Sequence, residues 1–154
     1  MLLNSSNDAA MALAMHYSKA DFVSEMQKKA TELKMFDTSF FDASGLSFLN
    51  QSTVNDLAKL TYYIYQRHPE IFEISQDKNA QITELRSGRK RTISSINAFA
   101  GQPDFVGGKS GYIQVAGRNL LTIINDDQGQ LILLIVLGAQ DSVNETNQLI
   151  KLCL

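Results

Sequence analysis

The chain has 154 residues, 44% of them hydrophobic and 19% charged, with nine glycines, two prolines and a formal net charge of −2. That length is one domain by the usual prior and buries roughly 70% of its unfolded surface, while the composition excludes a disordered or fibrous chain and the charge gives no reason to expect nucleic acid or another polyanion as partner. A single cysteine, Cys153, excludes an internal disulfide, and the longest apolar run, Leu131 to Leu137, has seven residues, too few to span a bilayer.

The first residues carry no basic segment followed by an apolar run, so no export signal is expected in this sequence. Ser6 or Asn7 is placed to cap a helix through AAMALAM, whose alanine, leucine and methionine lose little side-chain entropy in a helix. Ser18 and Asp21 have capping-box spacing ahead of DFVSEMQKKATELKM, where Phe22, Met26, Ala30 and Leu33 fall on one stripe. FDTSFFDASGLSFLNQ has no sustained period, and its Ser-Gly pair marks a loop. Ser52 is expected to cap the next helix, with Val54, Leu57, Ala58, Leu60, Thr61 and Ile64 inward and Pro69 ending it; PEIF then starts a short turn of its own.

Beyond Phe72 the pattern changes. Ile82 to Ser95 predicts two short strands around a glycine-containing turn. FVGGKSGYIQVAG, NLLTIIND and QLILLIVLGA predict further strands, with DDQG a hairpin turn between the last two. Because LILLIVL is apolar on both faces, it is expected to be central and covered on both sides. SVNETNQLIKLCL predicts a C-terminal helix with Ser142 and Glu145 in capping-box spacing and Leu149, Ile150 and Cys153 as packing residues, Cys153 standing between Leu152 and Leu154 as a small hydrophobe.

Several motifs reduce to ordinary structure. GGKS lacks the glycine six residues before the lysine that a phosphate-binding loop needs, since Pro103 stands there, and strand follows it in place of a helix. His16 and His68 have no cysteine or carboxylate at metal-ligand spacing. Arg86, Arg89, Lys90 and Arg91 read as a solvated hairpin tip, and Tyr62, Tyr63 and Tyr65 as helix packing with hydroxyls outward.

What remains is an ordered set: SSNDAAMALA at a helix start, GLSFLNQSTVNDLAKL in the middle, and GGKSGYIQVAGRNLLTII entering a strand pair that ends in LILLIVLGA. Over nearly its whole length this arrangement resembles the serine D-alanyl-D-alanine carboxypeptidases, the low-molecular-mass penicillin-binding proteins that trim peptidoglycan stem peptides. Ser5, Ser6 and Asn7 look like the family's Ser-x-Asn element, and Lys109, Ser110 and Gly111 like its Lys-Thr/Ser-Gly element on the cleft strand. Gly45, Leu46, Ser52, Thr53, Asp56, Leu57 and Ala58 resemble a segment of the helical framework. Ala116, Gly117, Leu137, Gly138 and Ala139 resemble strands behind the cleft, and Asn97 resembles a recurrent position without an assigned catalytic role.

The resemblance implies an α+β, β-lactamase/transpeptidase-like partial fold: a helical part at 1–71, a hairpin region at 72–97, sheet strands at 98–141 and a helix at 142–154. In that chemistry a serine attacks the carbonyl between two D-alanines to give an acyl-enzyme. Ser5 would pass a proton toward the leaving amine, Asn7 would hold the substrate amide, and Lys109 would supply positive potential. Ser110 and Gly111 would receive the terminal carboxylate, or the equivalent group of a β-lactam. No cofactor and no metal are implied, and the setting is the cell envelope, outside the cytoplasm.

The family's nucleophile and activating lysine form a Ser-x-x-Lys element ahead of Ser-x-Asn, and this chain begins at the second element. Ser75 to Lys78 and Ser87 to Lys90 match the string but follow Ser5 in polar surroundings. The expectation is therefore one incomplete, N-terminally truncated domain over 1–154, inactive alone. Its exposed apolar strand is expected to drive a homo-oligomer. The alternatives are a noncatalytic binder of peptidoglycan peptides and a self-associating structural protein.

Overall fold

The computed structural model describes residues 1–153, without the side chains of residues 19 and 20; Leu154 lies outside the described residues. Helix α1 spans Asn7–His16. Ser6 caps it: its backbone is extended, and its hydroxyl accepts the Ala9 amide at 3.2 Å. Ala10 and Ala14, four apart, form the buried face.

Helix α2, Lys19–Glu32, starts without the expected capping box. Ser18 sits at φ 65°, outside the extended region from which an N-cap hydroxyl reaches the first amides, and makes no side-chain cap bond. The predicted stripe does turn inward, with Ala30 buried and Phe22, Met26 and Leu33 half-buried.

Helix α3, Val54–Arg67, is capped by Thr53 and not by Ser52: the Thr53 hydroxyl accepts the Asp56 amide at 3.2 Å. Ser52 is instead engaged with the Thr38 hydroxyl at 2.8 Å. Val54, expected inward, is exposed at the first position of the helix, whereas Thr61 is buried. Asp56 ties the α2–α3 connection together, accepting from the Asp37 amide at 2.8 Å and the Thr38 hydroxyl at 2.9 Å. The Lys59 ammonium, 2.7 Å away, holds its carboxyl below the usual carboxylate range. After Pro69 the expected short turn is a seven-residue helix, α4, Glu70–Gln76.

Strands β1, Asn79–Thr83, and β2, Lys90–Ser94, pair as an antiparallel hairpin whose tip carries the exposed basic residues. The main sheet has β3, Phe105–Ile113; β4, Gly117–Asn125; and β5, Leu131–Ala139, in the order β3-β4-β5, all antiparallel. The expectation that LILLIVL is central is therefore corrected. Two consecutive hairpins place the middle segment at the centre, so β4 is flanked on both sides and β5 is an edge, with Leu131 and Leu137 each 41% exposed.

Leu120, Thr122 and Ile124 alternate with Ile123 along β4, and all four are buried, so both faces of the central strand are covered. The core joins Phe99, Ala100, Phe105 and Leu120 to Val143 and Ile150 of α5, Ser142–Cys153. Helix α5 is capped by Asp141, whose carboxylate accepts the Asn144 amide at 3.0 Å, not by Ser142, which is buried as the first helical residue. Cys153, expected to pack, is exposed.

The double glycine before Lys109 is explained by packing. A Cβ on Gly107 would lie 2.7 Å from the Phe72 Cβ of α4, and one on Gly108 would lie 2.3 Å from the Leu121 carbonyl oxygen. Ser75 of α4 completes the joint, its hydroxyl donating to the Phe72 carbonyl at 2.9 Å and accepting the Gly108 amide at 3.1 Å. Helix α4 thus fixes the start of β3, from which Lys109 and Ser110 emerge. None of the described helices is long and apolar enough to cross a membrane.

Candidate functional site

A cleft of about 1020 Å³ opens where the start of α1, the middle of β3 and the start of α5 converge. Ser5, Asn7, Lys109, Ser110 and Gly111, the five residues singled out in the sequence, all line it. The N-terminal residues are held by the segment after β2: the Ile96 amide donates to the Leu3 carbonyl at 3.0 Å, and Leu3 is buried.

Across the cleft, the Lys109 ammonium donates to the Ser5 hydroxyl oxygen at 2.7 Å, joining residues 104 positions apart, and also to the Ser110 carbonyl. The Lys109 residue as a whole stays exposed, but its ammonium is turned in, and desolvation there holds its pKa below the ordinary lysine value. Among the described residues it has no carboxylate partner. Ser5 stands at φ 52°, a left-handed conformation that costs a non-glycine residue about 1–2 kcal/mol. Asn7, the first residue of α1, lines the same space.

Chemically, this wall offers a cation and a hydroxyl for an anion, an amide for a peptide group, and a serine–lysine pair along which a proton can move. The two Ser-x-x-Lys strings lie elsewhere: Ser75 is locked into the α4–β3 joint and Ser87 donates to Glu84 at 2.6 Å on the hairpin tip. Asn97 also lies off the cleft lining; its side-chain oxygen accepts the Phe99 amide at 3.0 Å. Among the described residues no group of three or more His, Cys, Asp or Glu is placed to hold a metal ion.

The sequence reading missed one wall. Ala43, Ser44, Gly45 and Leu46 line the cleft, so Gly45 and Leu46 contribute to the site and not only to the helical framework. Asp42 ties this loop. Its carboxylate accepts the Ser44 amide at 2.6 Å, the Ser44 hydroxyl at 2.8 Å, the Gly45 amide at 2.7 Å and the Ser47 amide at 2.6 Å. Burial raises the Asp42 pKa, but the hydrogen bonds from the Ser44 hydroxyl and the Ser47, Ser44 and Gly45 amides outweigh it and pull the group down to about 2. The Asp-x-Ser-Gly spelling is the local signal, since aspartate commonly accepts from amides two and three residues on. Tyr112 and Arg118, also on the lining, carry no comparable mark in the sequence.

Residues 1–141 match the profile of the family described as D-alanyl-D-alanine carboxypeptidase. Among curated relatives, a D-alanyl-D-alanine endopeptidase of Haemophilus influenzae is 36% identical over 128 residues, 80% of this chain and 42% of its own length. A D-alanyl-D-alanine endopeptidase of Escherichia coli is 31% identical over 144 residues, 89% of this chain and 46% of its own. The chain therefore spans less than half the length of these relatives. Among solved structures, cefotaxime-bound penicillin-binding protein D2 from Listeria monocytogenes superimposes with a TM-score of 0.81 at 30% identity, over 97% of this chain and 62% of that one. The helices, hairpin, antiparallel sheet and final helix described above follow the β-lactamase/transpeptidase-like architecture.

Proposed function

Because the chain belongs to the D-alanyl-D-alanine carboxypeptidase family, we propose that its cleft recognises peptidoglycan stem peptides ending in D-Ala-D-Ala, or β-lactams, as the substrate-holding half of a serine acyl-transfer site. The observation that carries this reading is the Lys109–Ser5 bond at 2.7 Å in a cleft also lined by Asn7, Ser110 and Gly111. Lys109 supplies the positive potential and Ser110 the hydroxyl for the terminal carboxylate, with Gly111 leaving the strand open beside it. Asn7 holds the penultimate amide. Ser5, bonded to an ammonium whose proton is loosened by desolvation, relays a proton toward a leaving amine. The cefotaxime held by the Listeria relative supports the β-lactam half of the proposal.

Acyl transfer also needs an attacking group. Neither Ser-x-x-Lys string reaches the cleft, so this sequence alone binds without being acylated. Labelled penicillin followed by intact-mass measurement tests that part, with no covalent adduct expected; a stoichiometric adduct on any serine overturns it. Titration with a D-Ala-D-Ala peptide tests recognition. Native protein is expected to bind and a Lys109→Ala variant to bind about tenfold or more weakly; equal affinities discard the reading.

A further inference from the structure

We propose that Arg118 is a second anion-reading group of the cleft, which selects peptides carrying a carboxylate on the third residue from the C-terminus; this rests on the D-Ala-D-Ala reading above. Arg118 lies on β4 directly opposite Tyr112 of β3, and its guanidinium carbon is 5.1 Å from the centre of the Tyr112 ring. Both residues line the same cleft as Lys109. Arg118 is exposed and makes no ion pair among the described residues. Asp141, the acidic residue of the lining, already has a carboxylate oxygen engaged in capping α5.

Among the described residues the cleft thus has two cations without carboxylate partners, at separated positions. Tyr112 is two residues beyond Ser110, so the two share a face of β3 with Arg118, and a strand rises about 3.3 Å per residue, which sets the Tyr112–Arg118 pair roughly 7 Å along β3 from Ser110. A peptide whose terminal carboxylate meets Lys109 and Ser110, and whose chain follows β3 in extended form, carries its third residue to the Tyr112–Arg118 pair. The stacked ring restricts the arginine before any ligand arrives, so less side-chain freedom is lost on binding. A guanidinium offers a carboxylate two parallel donors, which an amide side chain of the same shape cannot match.

The test uses two N-acetylated peptides ending in D-Ala-D-Ala, identical except that the third residue from the end is glutamate in one and glutamine in the other. Calorimetric titration of the native chain is expected to favour the glutamate peptide by about three- to tenfold, the range for a partly solvated charge pair. In Arg118→Gln that preference falls to within about twofold while the glutamine peptide binds as before; Arg118→Lys retains part of it. A native chain with no preference, or a preference that survives in Arg118→Gln, overturns the assignment and leaves the D-Ala-D-Ala reading standing. If neither peptide binds, the D-Ala-D-Ala reading itself is overturned and this assignment with it.

Discussion

The Lys109 ammonium and the Ser5 hydroxyl meet at 2.7 Å, and the serine that receives the proton donor does so from a left-handed backbone at φ 52°. Function and backbone comfort are opposed at this residue. Ser5→Ala and Ser5→Gly remove the same hydroxyl, but only glycine adopts this conformation without steric cost. Urea unfolding is expected to find Ser5→Gly more stable than Ser5→Ala by about 1 kcal/mol. Equal midpoints would show that the positive φ is not retained in solution.

Asp42 should leave an acid limb in the stability profile. Its carboxyl is lowered from an ordinary 3.8 to about 2. A depressed folded-state pKa contributes stability that is complete above the unfolded value and is lost as pH falls through the folded one, so the loss runs from about pH 4 down to about 2. Allowing for solvent screening, the contribution is about 1 kcal/mol. Unfolding measured across that window should show a shallower acid limb in Asp42→Asn, together with lower stability at neutral pH. An unchanged slope would remove Asp42 as its source.

The glycines of β3 should separate sharply. Gly108→Ala places a Cβ against the Leu121 carbonyl, a backbone atom of the central strand, and is expected to destabilise by about 2–3 kcal/mol. Gly107→Ala, crowded by Phe72 and the Ser75 hydroxyl, belongs with it. Around Gly111 a Cβ meets nothing within 4 Å, so Gly111→Ala should leave the thermal midpoint nearly unchanged and act only on ligand titration. A Gly111→Ala variant as unstable as Gly108→Ala would contradict this packing.

Strand β5 should make the chain associate. Among the described residues it pairs only with β4, and its outer edge offers unpaired backbone beside exposed Leu131 and Leu137. Sedimentation over a range of concentrations is expected to show a rising average mass that Leu137→Lys shifts back toward monomer. A monodisperse monomer at every concentration would end the homo-oligomer reading.

How much was legible beforehand differs by element. Ser6 with Ala10 and Ala14 is a local pattern, and α1 forms as it predicts. Adjacent hydroxyls at Ser52 and Thr53 are equivalent in sequence; the choice between them is made by Thr38, which draws Ser52 away. LILLIVL lies at the edge although its composition suits a centre, because apolarity reports what a strand could bury, whereas hairpin order decides which strand has two neighbours. The positions of Ser5, Asn7 and Lys109 came from family resemblance, and their meeting depends on the whole fold. Arg118 became visible only when register set it opposite Tyr112.

The bond between Lys109 and Ser5 closes a ring of backbone spanning most of the chain. Closing so long a ring carries an entropic penalty that a single surface contact cannot repay, and contacts of such separation are slow to find. Hairpins β3–β4 and β4–β5, built from near neighbours, are therefore expected to form first, with the cleft assembling as the N-terminal residues return to the sheet. Any ligand affinity of this cleft is accordingly expected to arrive late, after most of the secondary structure.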